Sequence, residues 1–167
     1  MSGSLPVIGF VGLGNMGFPM VQQLLRGGAR VFGYDTMAEN LDRAAAAGVR
    51  PTTSLAELAG AAEAIVLMLP SSAVVEAVTA ELLAAEGRVF STIVDMSSSE
   101  PARTRRLAEE LATAGVALVD APVSGGVLRA SDGSLTIMVG GESAAPERLP
   151  PAPELLGSSV TYPRPAS

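Results

Sequence analysis

Short apolar runs alternate with stretches of helical spacing along the whole chain. Residues 6–11 (PVIGFV) and 64–69 (AIVLML) are almost continuously apolar and of strand length, and Pro70 closes the second. Runs of that kind suit strands buried on both faces of a parallel sheet. Residues 30–34 (RVFGY), 91–95 (STIVD), 116–120 (VALVD), 134–139 (SLTIMV) and 158–162 predict further strands. The intervening segments carry their apolar residues at helical spacing. They predict helices from about 15 to 25 (closed by Gly27-Gly28), from 36 to 48, over a shorter stretch after 54, from 73 to 85, and from 102 to 114. Thr36-Met-Ala-Glu39 and Ser54-Leu-Ala-Glu57 have the capping-box pattern, in which a hydroxyl and a carboxylate satisfy free N–H groups of the first turn. Strand and helix repeat without hairpin signals, which predicts an α/β fold of βαβ units around a mostly parallel sheet. The proline-rich stretch 146–153 and the tail resist regular structure. The expected organisation is one domain over residues 1–162 and an irregular tail at 163–167.

Composition narrows the chemistry. A chain of 167 residues fits one ordinary domain with a core of its own. Its 48% apolar content includes 27 alanines, the small-residue hydrophobicity that packs helices closely. The longest purely apolar run, residues 64–69, falls far short of the roughly 20 residues a membrane span needs. No basic group precedes an apolar run near residue 1, so no secretory signal is expected and the cytoplasm is the expected location. All 11 basic residues are arginines, mostly scattered, and the net charge of −6 argues against nucleic-acid binding. The chain contains no lysine, histidine, cysteine or tryptophan. Thiol nucleophiles, disulfides, Cys/His zinc sites, Ser-His-Asp triads and lysine Schiff bases are therefore excluded within it, and no metal site is expected.

One glycine pattern stands out. Val11-Gly12-Leu13-Gly14-Asn15-Met16-Gly17 is G-x-G-x-x-G, it follows the first predicted strand, and it opens a helix. Asp35 ends the next strand, 18 residues beyond Gly17. Each part has a task in dinucleotide binding. Gly12 permits the tight turn, Gly14 lets a pyrophosphate approach the backbone, and Gly17 permits close packing of helix on strand. The helix start offers free N–H groups and partial positive charge to the anion. The Asp35 carboxylate suits the hydroxyls of an adenosine ribose and repels a 2′-phosphate. No arginine follows it immediately, so NAD is favoured over NADP. The alternative is a plain βα turn in which Asp35 merely caps a helix.

A second pattern, Asp120-Ala-Pro-Val-Ser124-Gly125-Gly126, follows a later strand. A serine before two glycines leaves a hydroxyl and main-chain amides to hold a carboxylate, or forms a glycine-rich turn with no ligand. Two more segments bear on this. Leu69-Pro70 closes the third strand, and Asp95-Met-Ser-Ser-Ser-Glu-Pro101 follows the fourth. With the glycine loop and residues 120–126, these closely resemble the β-hydroxyacid dehydrogenase family, which includes 3-hydroxyisobutyrate dehydrogenase, tartronate semialdehyde reductase and relatives of 6-phosphogluconate dehydrogenase. The resemblance covers about residues 6–162, including Ser134-Leu-Thr-Ile-Met-Val-Gly-Gly141.

The resemblance implies a Rossmann-type, doubly wound sheet. It implies that Gly12, Leu13, Gly14, Asn15, Met16 and Gly17 hold the pyrophosphate and Asp35 the ribose. Leu69, Pro70 and Val74 would line the dinucleotide site near the nicotinamide. Ser98 stands where the family has threonine, with Ser98-Ser99 replacing its Thr-Ile. Ser124, Gly125 and Gly126 would take the carboxylate of a small hydroxy acid. Bland readings stand beside two of these, with Met16 as core on the first helix and Val74 as packing. In the family an all-helical domain follows, bearing a lysine that acts as general acid/base and building a dimer interface. The chain has no lysine and ends near the entry to that domain. The expectation is thus a truncated cofactor domain, inactive alone, that takes its small-molecule substrate only when completed and has some tendency to self-associate. The alternatives are a non-catalytic NAD-binding module or partner subunit, and an assembly fragment that binds nothing.

Overall fold

A computed structural model describes residues 6–140, 153 and 156–161. The tail 163–167 and nearly all of the proline-rich stretch 146–153 lie outside the described residues. The first unit runs β1 (Val7–Val11), α1 (Gly17–Arg26), β2 (Arg30–Tyr34), α2 (Ala38–Ala47) and β3 (Arg50–Pro51). It continues through α3 (Leu55–Ala61), β4 (Ala64–Leu67), α4 (Ser72–Ala84), β5 (Thr92–Asp95), α5 (Pro101–Thr113) and β6 (Ala117–Asp120). The six strands form one sheet in the order β3-β2-β1-β4-β5-β6, and every neighbouring pair is parallel. This is the doubly wound order of a dinucleotide-binding fold, with its topological switch between β1 and β4.

Alternation along the strands feeds a core on each face. Ile8, Phe10, Val66, Val94 and Val119 point to one side, where Met20, Val21 and Leu24 of α1 and Ala44 of α2 cover them. Val7, Val11, Ile65, Leu67, Ile93 and Leu118 point to the other side, against Leu58 of α3, Val75 and Leu82 of α4, and Leu107 and Leu111 of α5. The unbroken apolar runs seen in the sequence are the cause, because a strand covered on both sides needs apolar residues at every position.

Beyond β6 the chain forms a smaller sheet. It comprises β7 (Val123–Ser124), β8 (Leu135–Met138) and β9 (Gly157–Thr161), with α6 (Gly126–Asp132) between the first two. Strand β7 is antiparallel to β8, and β8 is parallel to β9. A bridge between Asp120 and Gly140 joins this sheet to the large one.

Several details differ from the sequence expectations. Residues 123–126, where one reading had a glycine-rich turn, are the end of a strand pair and the start of α6. The α1 helix begins at Gly17 and not near residue 15, because the loop holding Gly12 and Gly14 runs on through Met16. The two-residue β3 was not visible in the pattern. Thr36 makes no capping bond, because Met37 and not Thr36 is the N-cap residue of α2, and the Asp35 carboxylate accepts from the Met37 N–H at 2.7 Å. The second box is half formed as drawn. Ser54 Oγ accepts from Glu57 N at 3.0 Å, while the Glu57 carboxylate turns to the Thr53 N–H and hydroxyl, both at 2.8 Å.

Candidate functional site

The carboxyl ends of parallel strands gather the glycine loop, Asp35 and the three later segments that carry the candidate site residues. The glycine loop leaves β1, Asp35 follows β2, Leu69-Pro70 follows β4, Ser97 to Ser99 follow β5, and Ala121 to Gly126 follow β6. Open α/β sheets bind ligands at this edge, beside the switch point.

Three glycines in the loop differ in what demands them. Gly12 has φ +101°, and a Cβ there would lie 2.2 Å from the Met68 carbonyl oxygen. A Cβ on Gly17 would lie 1.7 Å from the Gly12 carbonyl oxygen. Both are required by the chain's own packing. Gly14 is different, since a Cβ there would meet nothing within 4 Å and its φ is not in the left-handed region. No atom of the described residues explains the glycine at that point. Among the described residues, no acceptor takes the N–H groups of Gly14, Asn15, Met16 or Gly17. Asn15 is exposed, while Met16 is half-buried and packs on the core below α1.

Asp35 has two attachments. Its Oδ2 accepts from the Leu13 N–H at 2.7 Å, and its Oδ1 accepts from the Met37 N–H at 2.7 Å. The carboxylate therefore clasps the glycine loop and caps the approach to α2, with lone pairs on both oxygens left over. Arg43 of α2 also reaches the loop, where its Nη2 donates to the Leu13 carbonyl at 3.2 Å.

The β4 and β5 ends are tied by a residue the sequence reading passed over. Ser97 is fully buried, and its Oγ accepts from the Leu69 N–H at 2.8 Å. Its own N–H donates to Asp95 Oδ1 at 2.9 Å, and the Ser99 hydroxyl donates to Asp95 Oδ2 at 2.8 Å. Nothing in the run Ser97-Ser98-Ser99 distinguishes these hydroxyls, so sequence alone gave no signal. The neighbouring Ser98 and Pro70 are exposed, while Leu69 and Val74 are half-buried. The Val74 N–H donates to Ser71 Oγ at 3.3 Å, which starts α4.

Asp95 and Asp120 are register partners on adjacent strands. Burial, and then the charge of Asp95, raise the Asp120 carboxyl to about 6. Past it, Ser124 pairs with Thr136, and Ser124, Gly125 and Gly126 are all exposed. Gly125 and Gly126 have φ of +136° and +70°. Helix α6 lies against α1, where Gln23 and Arg26 donate to the Ser131 carbonyl, the arginine at 3.3 Å. This packing carries the Ser124 loop and the glycine loop on neighbouring elements. A groove of about 330 Å³ between α4 and α5, lined by Glu76, Leu83, Arg103 and Glu110 among others, contains none of the candidate residues. Among the described residues no group of three or more acidic side chains is placed to hold a metal ion, and no helix is long and apolar enough to cross a membrane.

Residues 7–163 match the family model of the NAD binding domain of 6-phosphogluconate dehydrogenase. The chain belongs to this family. Among curated relatives of this NAD-binding domain, 3-hydroxyisobutyrate dehydrogenase from Mus musculus is 40% identical over 167 residues, covering 97% of this chain and 49% of the relative. The 2-(hydroxymethyl)glutarate dehydrogenase of Eubacterium barkeri is 38% identical over 161 residues, covering 93% and 52%. Among solved structures, the 3-hydroxyisobutyrate dehydrogenase of Mycobacterium tuberculosis with L-serine superposes with a TM-score of 0.87 at 34% identity, over 93% of this chain and 53% of that one. The NAD-binding domain described here thus spans about half the length of the relatives it matches. The family resemblance and Rossmann-type fold read from the motifs are both borne out.

Proposed function

We propose that this chain is the dinucleotide-binding part of an oxidoreductase that moves hydride between a nicotinamide cofactor and a small 3-hydroxy acid. The substrate is of the 3-hydroxyisobutyrate or tartronate semialdehyde type, and NAD is taken in preference to NADP. The observation that carries this reading is Gly14, a glycine with open space before it and, beside it, N–H groups that no described residue accepts. A pyrophosphate supplies the missing reason for the glycine and the missing acceptors for the amides.

In this reading residues 12–17 cradle the pyrophosphate, with Met16 serving chiefly as packing. Asp35 takes the ribose hydroxyls on the lone pairs its main-chain contacts leave. Leu69 and Pro70 wall the nicotinamide side, backed by Val74, and the exposed hydroxyl of Ser98 faces that region. Ser124, Gly125 and Gly126 take the substrate carboxylate. The nicotinamide, when bound, supplies the hydride acceptor, while the chain binds and orients the two reactants. Cleaving the C–H bond also requires the hydroxyl proton to leave, and a placed acid/base residue typically contributes about 10²–10⁴-fold. The family's lysine for that step has no counterpart in these 167 residues. Proton transfer is therefore assigned to protein outside them. The domain is taken to be residues 1–162, working in the cytoplasm.

Titration of the chain with NADH, followed by the rise in nicotinamide fluorescence, tests the reading. Saturable binding is expected, together with no detectable oxidation of 3-hydroxyisobutyrate by the chain alone. Absence of binding at millimolar NADH overturns the cofactor assignment, and robust turnover overturns the assignment of proton transfer to other protein.

A further inference from the structure

We infer that Arg43 is a specificity-determining residue, holding a cation at the adenosine end of the cleft where it offsets the exclusion of a ribose 2′-phosphate by Asp35. The inference rests on the reading of the cleft as a nicotinamide dinucleotide site. This role is not legible in the sequence, because Arg43 lies in the second turn of α2 and not directly after Asp35.

The geometry is specific. The guanidinium sits 4.3 Å from the centroid of the Phe18 ring, and Nη2 donates to the Leu13 carbonyl at 3.2 Å. The same Leu13 gives its N–H to Asp35 Oδ2 at 2.7 Å. One residue of the glycine loop therefore separates the cation from the carboxylate that meets the ribose. A helical arginine with a glutamate four residues before it ordinarily pairs with that glutamate. Glu39 occupies the position, yet the one ion pair among the described residues is Arg103 with Glu76. Arg43 instead spends one donor on the loop carbonyl and stacks on Phe18. A guanidinium carries five N–H donors, so several remain. Its contacts with the Phe18 ring and the Leu13 carbonyl hold the guanidinium beside the loop, which lowers the entropy cost of gripping an anion.

The two residues act on different ligand groups. A ribose 2′-hydroxyl needs an acceptor, which Asp35 provides, and it gains nothing from a nearby cation. A 2′-phosphate is repelled by Asp35 and attracted by Arg43. Discrimination between the two dinucleotides is then a difference between opposing charges, smaller than Asp35 alone would impose.

The test uses the full chain, titrated with NADH and with NADPH at low salt, as wild type, Arg43→Ala and Arg43→Gln. Both replacements are good helix formers, so α2 is retained, and Gln keeps the length without the charge. The Leu13 bond serves either dinucleotide, so each variant is expected to weaken NADPH about tenfold more than it weakens NADH, the worth of one charge-assisted contact. NADPH affinity unchanged in both variants, or lost in equal measure with NADH, overturns the role of Arg43 and leaves the cleft reading standing. No NADPH binding by a wild type that binds NADH overturns it too. Binding of neither dinucleotide overturns the cleft reading together with this inference.

Discussion

The three loop glycines separate structural from functional demand at single residues. Gly17→Ala places a methyl group into the Gly12 carbonyl, and the helix must move off the strand to admit it. A destabilisation of about 3 kcal/mol or more is expected for such overpacking. Gly14→Ala has room and an unstrained backbone, so its unfolding midpoint in urea should shift by no more than about 0.5 kcal/mol in equivalent stability. Its NADH affinity should nonetheless fall by about tenfold or more, because the methyl group fills the approach to the main chain. Equal loss of stability in the two variants would remove the argument from Gly14. The motif was legible in sequence, but its division of labour was not, since identical letters carry no record of what surrounds them. Ser97 shows the same limit, as one of three consecutive serines and the only one whose hydroxyl is sealed between β4 and β5.

At the scale of elements, the apolar runs predict the five helices and five of the six strands of the Rossmann unit well, because strands covered on both faces and helices covered on one leave opposite patterns. What the runs missed was set by partners distant in the chain. Strand β3 is two residues whose pairing depends on β2. Strand β7 and helix α6 occupy a glycine-rich segment that local propensity reads as turn. The join between the two sheets also carries a pH response. The Asp120 carboxyl is raised to about 6 from an ordinary value near 3.8, first by burial and then by Asp95. The folded chain thus holds this proton more tightly than the unfolded chain. Between about pH 4 and pH 6 the unfolded state releases it first, so stability falls as pH rises through that window, and the full penalty persists above it. Asp120→Asn removes the ionisation. Urea unfolding should show the variant more stable by about 1 to 2 kcal/mol at pH 7, allowing for partial exposure, with the gap closing toward pH 4. A gap that does not vary with pH would contradict the raised carboxyl.

For the molecule as a whole, five strand ends deliver the candidate residues to one edge while the chain spans half the length of its relatives. Apolar side chains remain in the open beside the smaller sheet. Leu128 is 82% exposed, Met138 62% and Val127 49%. Surface of that kind favours association with other copies. Light scattering is expected to show concentration-dependent growth in apparent mass, reduced by Leu128→Asp, and a strictly monomeric chain at high concentration would speak against it. The two bonds of Asp35 have a further consequence for anyone redesigning the protein. The acid after the second strand is the obvious residue to exchange when cofactor preference is to be changed, since it meets the ribose 2′-position in such domains. Here that exchange also releases the Leu13 and Met37 amides, so a change of preference made at position 35 arrives with a slacker loop and weaker grip on either dinucleotide. Redesign from the α2 side, leaving the acid in place, keeps both of its amide bonds and gives up only the single Arg43 bond to the Leu13 carbonyl.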